Sequence, residues 1–171
     1  MTAPDQPVVA QPGQRLPYRP AGRGELAAQL RLGRDGRADR KRSGADVALT
    51  TGFDQQVTDP LLAAIGWRVG EQLDAVVCAD EVAAGRPAPD MIERAMELTG
   101  VTVPARVLVA GDTVLDVRAG HAAGAGVVVA VLTGAQTADE LAAEHPTRLL
   151  DGVRELPGLL AAAPAGDPTA R

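Results

Sequence analysis

Aromatic side chains are almost missing from this chain: its 171 residues include one Trp, one Tyr and one Phe, 2% in all. A core without rings is filled by Val, Leu, Ile and Ala, which suits a parallel sheet flanked by helices better than a β-sandwich. The same scarcity removes the stacking platform on which nucleotide bases are held, so nucleic acid is not an expected partner. Cysteine is nearly absent too. Cys78 cannot form an internal disulfide, and its apolar run, residues 75–78, reads as the setting of a buried, inert thiol rather than a nucleophile. No apolar run approaches the ~20 residues that span a bilayer, and the opening Met-Thr-Ala-Pro-Asp has no basic region followed by an apolar one. The expectation is a cytoplasmic protein with no membrane partner. Length and a 46% hydrophobic composition fit one ordinary globular domain.

Charge is unevenly distributed. Residues 1–45 hold nine Lys and Arg against four Asp and Glu, net +5, whereas residues 46–171 hold eight against eighteen, net −10. The first part is rich in Arg, Gly and Pro, a composition that buries too little apolar surface to offset its ordering entropy. It is expected to be a largely disordered basic arm, with an RNA- or membrane-contacting arm as the alternative. Within it only residues 7–10 offer a stub of strand and residues 25–32 a short helical stretch. Residues 163–171 are expected to form a flexible tail.

From residue 46 the text becomes regular. Residues 47–50 are strand-like, Asp59-Pro60 opens a helix to Ile65, and Gly66 stops it. Residues 75–78 form a second buried strand, followed by Asp80-Glu81-Val82 and a Pro-rich loop. Asp90 caps a helix over residues 91–98, with Met91, Ala95 and Leu98 on one face and Gly100 at its end. Residues 126–132 give another strand, 137–144 a helix and 148–150 a last short strand. Strands and helices alternating at this spacing mean βαβ units and a doubly wound parallel α/β sheet.

The stretch Arg106-Val-Leu-Val-Ala-Gly-Asp-Thr-Val-Leu-Asp116 organises the rest. Residues 107–110 have the pattern of a strand buried on both faces, Gly111 allows a tight turn, and residues 115–123 look helical. Asp112 then sits at the carboxyl edge of the sheet, where open α/β folds bind ligands, and Asp116 falls in the first helical turn. Two hard oxygen donors at a positive helix terminus suit Mg²⁺ and phosphate.

Three ordered motifs, Leu49-Thr50-Thr51-Gly52-Phe53, Gly85-Arg86-Pro87-Ala88-Pro89-Asp90-Met91 and Gly111-Asp112-Thr113-Val114-Leu115-Asp116, resemble the haloacid dehalogenase superfamily, specifically its phosphonatase-like branch. The resemblance runs over residues 46–160. It implies a Rossmann-like core in which Thr51, with Gly52, holds the transferring phosphoryl group. It implies that Arg86 neutralises the phosphoryl and nucleophile oxygens, that Asp112 is a Mg²⁺ ligand and that Asp116 binds or orients the metal. Glycines 120 and 124 would allow close helix packing, and His121 between them has no implied catalytic role. The implied activity is Mg²⁺-dependent hydrolysis of a small phosphate monoester or phosphonate, with a small phosphorylated metabolite as partner.

Two features of that family are missing. Its nucleophile is the first Asp of an Asp-x-Asp-Gly motif ending the first, central strand; here Val8-Val9-Ala10 is followed by Gln11-Pro12-Gly13. Asp35 and Asp39 stand in an Arg-rich stretch with no apolar strand to present them. Too few residues precede Thr51 for a helical cap domain, and the one lysine, Lys41, lies in a solvated cationic run, a poor setting for Schiff-base chemistry. Losing a nucleophile costs a triad enzyme about 8 kcal/mol of transition-state stabilisation. Two readings therefore stay open: a phosphohydrolase, and a catalytically silent remnant whose first forty-odd residues were replaced, as by a shifted reading frame. An uncovered sheet edge would also favour a homodimer.

Overall fold

A computed structural model describes residues 45–162. Nearly all of the basic arm, with Val8, Asp35, Asp39 and Lys41, and the tail at 163–171 lie outside the described residues.

Strands and helices alternate along the described chain: β1 (Ala48–Thr51), α1 (Gln55–Ile65), β2 (Ala75–Cys78), α2 (Asp90–Thr99), β3 (Leu108–Gly111), α3 (Val114–Ala122), β4 (Val127–Val131), α4 (Ala138–Ala142), β5 (Arg148–Leu150) and α5 (Leu156–Ala162). Every ladder is parallel, as helical crossovers require. Ala48 pairs with Ala75, Leu108 with Val127, and Val129 with Arg148. Among the described residues the strands form two sheets, β1-β2 and β3-β4-β5.

Period-two alternation distributes the side chains to two helical layers. Ala48 and Val77 turn toward Met91 and Ala95 of α2, while Leu49 and Val76 turn toward Leu62 of α1. In the larger sheet Val128 and Ala130 meet Val117 of α3 and Leu141 of α4, while Val129 and Val131 meet Val153 and Leu156 on the other face. The doubly wound α/β architecture is thus present. One helix joins its two parts: α2 packs on β1 and β2, and its Ile92 also joins Ala119 of α3 with Val107 and Val109 beside it.

Several local expectations need correcting. Helix α1 starts at Gln55, not at Pro60, because Asp54 accepts the Val57 N–H at 2.9 Å and closes the first turn upstream; Pro60 lies inside the helix. Asp90 is the first residue of α2 rather than its cap, and its carboxylate instead accepts the Ala84 N–H at 3.0 Å. Leu98 is exposed, and Ile92 takes the place expected for it on the buried face. Gly124 serves a left-handed turn (φ 69°), whereas Gly120 does permit close packing, since a Cβ there would come within 3.0 Å of Val128. The largest difference concerns β3. Expected to be buried on both faces, it is only part-buried over Leu108, Val109 and Ala110, while Val128 to Val131 of neighbouring β4 are at most 1% exposed.

Candidate functional site

Parallel strands place their carboxyl ends on one edge, and the motif residues collect there. Thr51 ends β1, and its Oγ1 accepts the Phe53 N–H at 3.2 Å, bending the chain away from the strand. Gly52 follows close against Arg86: a Cβ would stand 2.9 Å from its Nη2, so a side chain there would displace the guanidinium. Arg86 comes from the loop after β2 and is joined to Pro87 by a cis peptide. That loop is tied down by its own carboxylates. Glu81 accepts the Cys78 N–H at 2.6 Å, and Asp80 accepts the Gln55 N–H at 3.2 Å.

Arg86 Nη1 donates to Asp116 Oδ1. The second oxygen of Asp116 accepts from Thr113, at 3.0 Å from its N–H and 2.6 Å from its hydroxyl, while Thr113 Oγ1 accepts the Asp116 N–H at 3.2 Å. Thr113 and Asp116 thereby form a reciprocal capping box on α3. A negative group in the first turn also suits the positive end of the helix dipole. Gly111 makes the arrangement sterically feasible, because a Cβ there would lie 2.2 Å from that of Asp116.

Asp112, 5% exposed, is seated against a different glycine. A Cβ on Gly134, in the loop after β4, would fall 2.6 Å from Asp112 Oδ2. Two residues on, Gln136 Oε1 accepts the Val114 N–H at 2.5 Å and fastens this loop to the start of α3. Thr51, Gly52, Arg86 and Asp116 are thus linked in one chain of contacts, and Asp112 opens the same β3–α3 turn. Neither Gly134 nor Gln136 was singled out by sequence reasoning, because nothing local to residues 133–136 shows which strand end the loop will cover. Thr113 could have been found: Thr-x-x-Asp before an apolar turn is a capping-box pattern.

The remaining candidates fall elsewhere. His121 is exposed, its Nε2 3.2 Å from the Glu144 carbonyl oxygen. Cys78 is buried, and burial pushes its thiol pKa up, away from nucleophile chemistry. Among the described residues no three His, Cys, Asp or Glu side chains are gathered as a metal cluster. Mg²⁺, however, commonly uses only one or two protein carboxylates and completes its shell with water and phosphate oxygens. The hard oxygens of Asp112 and Asp116 fit that demand in kind. No helix among the described residues is long and apolar enough to cross a membrane.

Comparison with known proteins agrees with this fold. A family model for haloacid dehalogenase-like hydrolases matches residues 38–124. The chain belongs to that family. It is 38% identical over 78 residues to phosphonoacetaldehyde hydrolase of Latilactobacillus sakei, covering 46% of this chain and 29% of that protein. It is 36% identical over 110 residues to a phosphonoacetaldehyde hydrolase-like protein of Syntrophobacter fumaroxidans, covering 62% and 39%, and 34% identical over 125 residues to a phosphoglycolate phosphatase of Cupriavidus necator, covering 73% and 52%. The chain thus spans about a third to a half of the length of these relatives. Among solved structures, a phosphonoacetaldehyde hydrolase-like protein from Oleispira antarctica superposes with a TM-score of 0.64 at 21% identity, covering 74% of this chain and 54% of that one. A hydrolase from Pseudomonas syringae gives 0.65 at 21%, covering 77% and 59%.

Proposed function

We propose that this chain carries the phosphate-handling half of a Mg²⁺-dependent phosphohydrolase site acting on a small phosphate monoester or phosphonate. The observation that carries the reading is the contact chain from Gly52 through Arg86 to Asp116, which sets a fixed cation between two strand ends. A phosphoryl group docked there would accept from the Thr51 hydroxyl and lie beside the guanidinium, whose planar donors match phosphate oxygens. Asp116 holds the guanidinium at that place through one oxygen while its other oxygen is fixed by Thr113. Asp112 would be the main carboxylate for Mg²⁺, with Asp116 beside it. The bound metal would supply charge neutralisation on the phosphoryl oxygens. The names of the matched relatives, phosphonoacetaldehyde hydrolase and phosphoglycolate phosphatase, support a phosphorylated small molecule as substrate class.

A second reading rests on the sequence: no Asp-x-Asp-Gly stands before Thr51, so the chain would bind a phosphoryl group without transferring it. One experiment separates them. Phosphate release from a panel of phosphate monoesters and phosphonates is measured with and without Mg²⁺ for the chain and for Asp112→Asn. Release that needs Mg²⁺ and disappears in the variant supports the hydrolase; release no higher than the variant's sinks it and leaves the silent reading.

A further inference from the structure

The loop after β4 faces two ways. Thr133, Ala135 and Thr137 are exposed, whereas Gly134 and Gln136 are half-buried and lie against the β3–α3 turn. Both ends of the loop are fixed outside the site. The Leu132 N–H donates to the Leu150 carbonyl at 2.9 Å, and Thr137 caps α4, its N–H and hydroxyl each donating to Glu140 at 2.8 Å. Leu132 and Val114 also pack on one apolar cluster, with Val117, Val128 and Leu141. Between these anchors the Gln136 side chain crosses to the start of α3.

The N–H that Gln136 binds is one the helix cannot satisfy itself. Val114 is the first residue of α3, and its N–H is among the four at a helix start that have no carbonyl partner within the helix. The Thr113 hydroxyl serves a different one, that of Asp116, at 3.2 Å. A partner drawn from 22 residues downstream does more than cap: it ties the loop to the turn that carries Asp112. At that junction Gly134 has no left-handed φ, so its missing side chain serves a close approach and not a turn. A Cβ there would stand 2.6 Å from Asp112 Oδ2 and 2.8 Å from Cγ, so the loop backbone walls one side of the carboxylate. The last torsion of an aspartate is intrinsically broad, and a wall on one oxygen narrows it.

We propose that Gln136 is a positioning residue for the metal site: by fastening the loop to Val114 it holds Gly134 against Asp112 and keeps that carboxylate pre-set for a divalent cation. This rests on the reading of Asp112 as the main Mg²⁺ carboxylate and adds to it, assigning metal affinity to a neutral side chain whose oxygen is occupied by a backbone N–H. Groups that orient a metal's ligands commonly contribute about 10- to 100-fold in affinity.

Mn²⁺ titration of the full chain, read by electron paramagnetic resonance of the free ion, tests the proposal together with hydrogen exchange of the metal-free Val114 amide. The parent should bind Mn²⁺ and Asp112→Asn should lose it. Gln136→Met keeps the length of the side chain but removes the acceptor, and should weaken Mn²⁺ about tenfold while speeding Val114 exchange about tenfold or more. Gln136→Glu restores an acceptor oxygen and should return both to the parent's level. If Gln136→Met binds as tightly as the parent while Asp112→Asn does not bind, the proposal falls and the metal reading of Asp112 stands. If the parent does not bind, or Asp112→Asn binds equally well, both fall. Val114 exchange that stays slow in Gln136→Met, or stays fast in Gln136→Glu, also overturns the proposal, because the tie is then not what holds the loop. Should Gln136→Met fail to fold, Gln136→Asn, whose acceptor stands one methylene short of Val114, takes its place with the same expected losses, and full affinity in it refutes the proposal.

Discussion

Arg86 and Asp116 are thirty residues apart in sequence and form an ion pair that ties the loop after β2 to the first turn of α3. The Asp116 side chain is 6% exposed and that of Arg86 24%, so the pair is screened less than a surface bridge but more than a buried one. Asp116→Ala should therefore cost about 2–4 kcal/mol, part from the stranded guanidinium and part from the broken capping box. Thr113→Ala removes only the cap and should cost about 1 kcal/mol. Urea unfolding of the two variants checks the ordering. Equal losses would mean that the ion pair contributes nothing beyond the cap.

Two glycines separate the roles of the two carboxylates. Gly111→Ala puts a methyl 2.2 Å from the Cβ of Asp116, within a turn that has no slack, and Gly134→Ala puts one 2.6 Å from Oδ2 of Asp112. Overpacking of this kind costs about 1–3 kcal/mol. The first substitution should be the more damaging to stability, because it displaces Asp116 from both Arg86 and Thr113. The second should leave thermal stability nearer the parent's while weakening Mn²⁺ binding, read by electron paramagnetic resonance as a stand-in for Mg²⁺. If Gly134→Ala melts as low as Gly111→Ala, the Gly134 loop is supporting the fold rather than Asp112.

Much of this site is legible in the sequence. Alternation of apolar runs with amphipathic stretches placed all five strands to within a residue or so, because a parallel strand buried by helices has little choice but Val, Ala and Leu. Thr51, Gly52, Arg86 and Asp116 could be grouped because their motifs follow the carboxyl ends of parallel strands, although among the described residues those strands belong to two sheets. What could not be read was long-range. Asp59-Pro60 carries a strong start signal, yet Asp54 caps the helix first and Pro60 lies within it. The contact of Gly134 with Asp112 joins residues on neighbouring strand ends and has no local signature. β3 is part-buried at the end of the β3-β4-β5 order, while β4 between its neighbours is buried, and a strand's place in that order is not encoded in its own residues.

Buried Cys78 gives a prediction about reactivity. Burial raises its pKa, and the folded state therefore holds the proton more tightly than the unfolded chain. Alkylation at pH 8 should be slow in the native protein and become fast in urea, by about 100-fold or more. The linkage has the matching sign. With the folded pKa above the unfolded one, this thiol's contribution to stability is fully present below the unfolded value of about 8.5 and is lost as pH rises from there through the higher folded value. Native labelling as fast as in urea would show that the end of β2 opens readily.

Arg118 and Glu144 join α3 to the chain just beyond α4 through two hydrogen bonds, at 2.9 and 2.5 Å. The Arg118 hydrogen bond is the chief cause that holds the Glu144 carboxyl below its usual pKa. A depressed folded pKa means that the unfolded chain takes up a proton first as the solution is acidified. The stabilisation is thus complete above the ordinary glutamate value of about 4.3 and is lost as pH falls through the lower folded value. Glu144→Gln should lower the melting temperature at pH 7, and the gap from the parent should close below pH 4. Arg118 is solvent-facing and Glu144 only part-buried, so the gap should also shrink in high salt. A gap that persists unchanged at pH 3 would assign the effect to packing of the Glu144 side chain rather than to its charge.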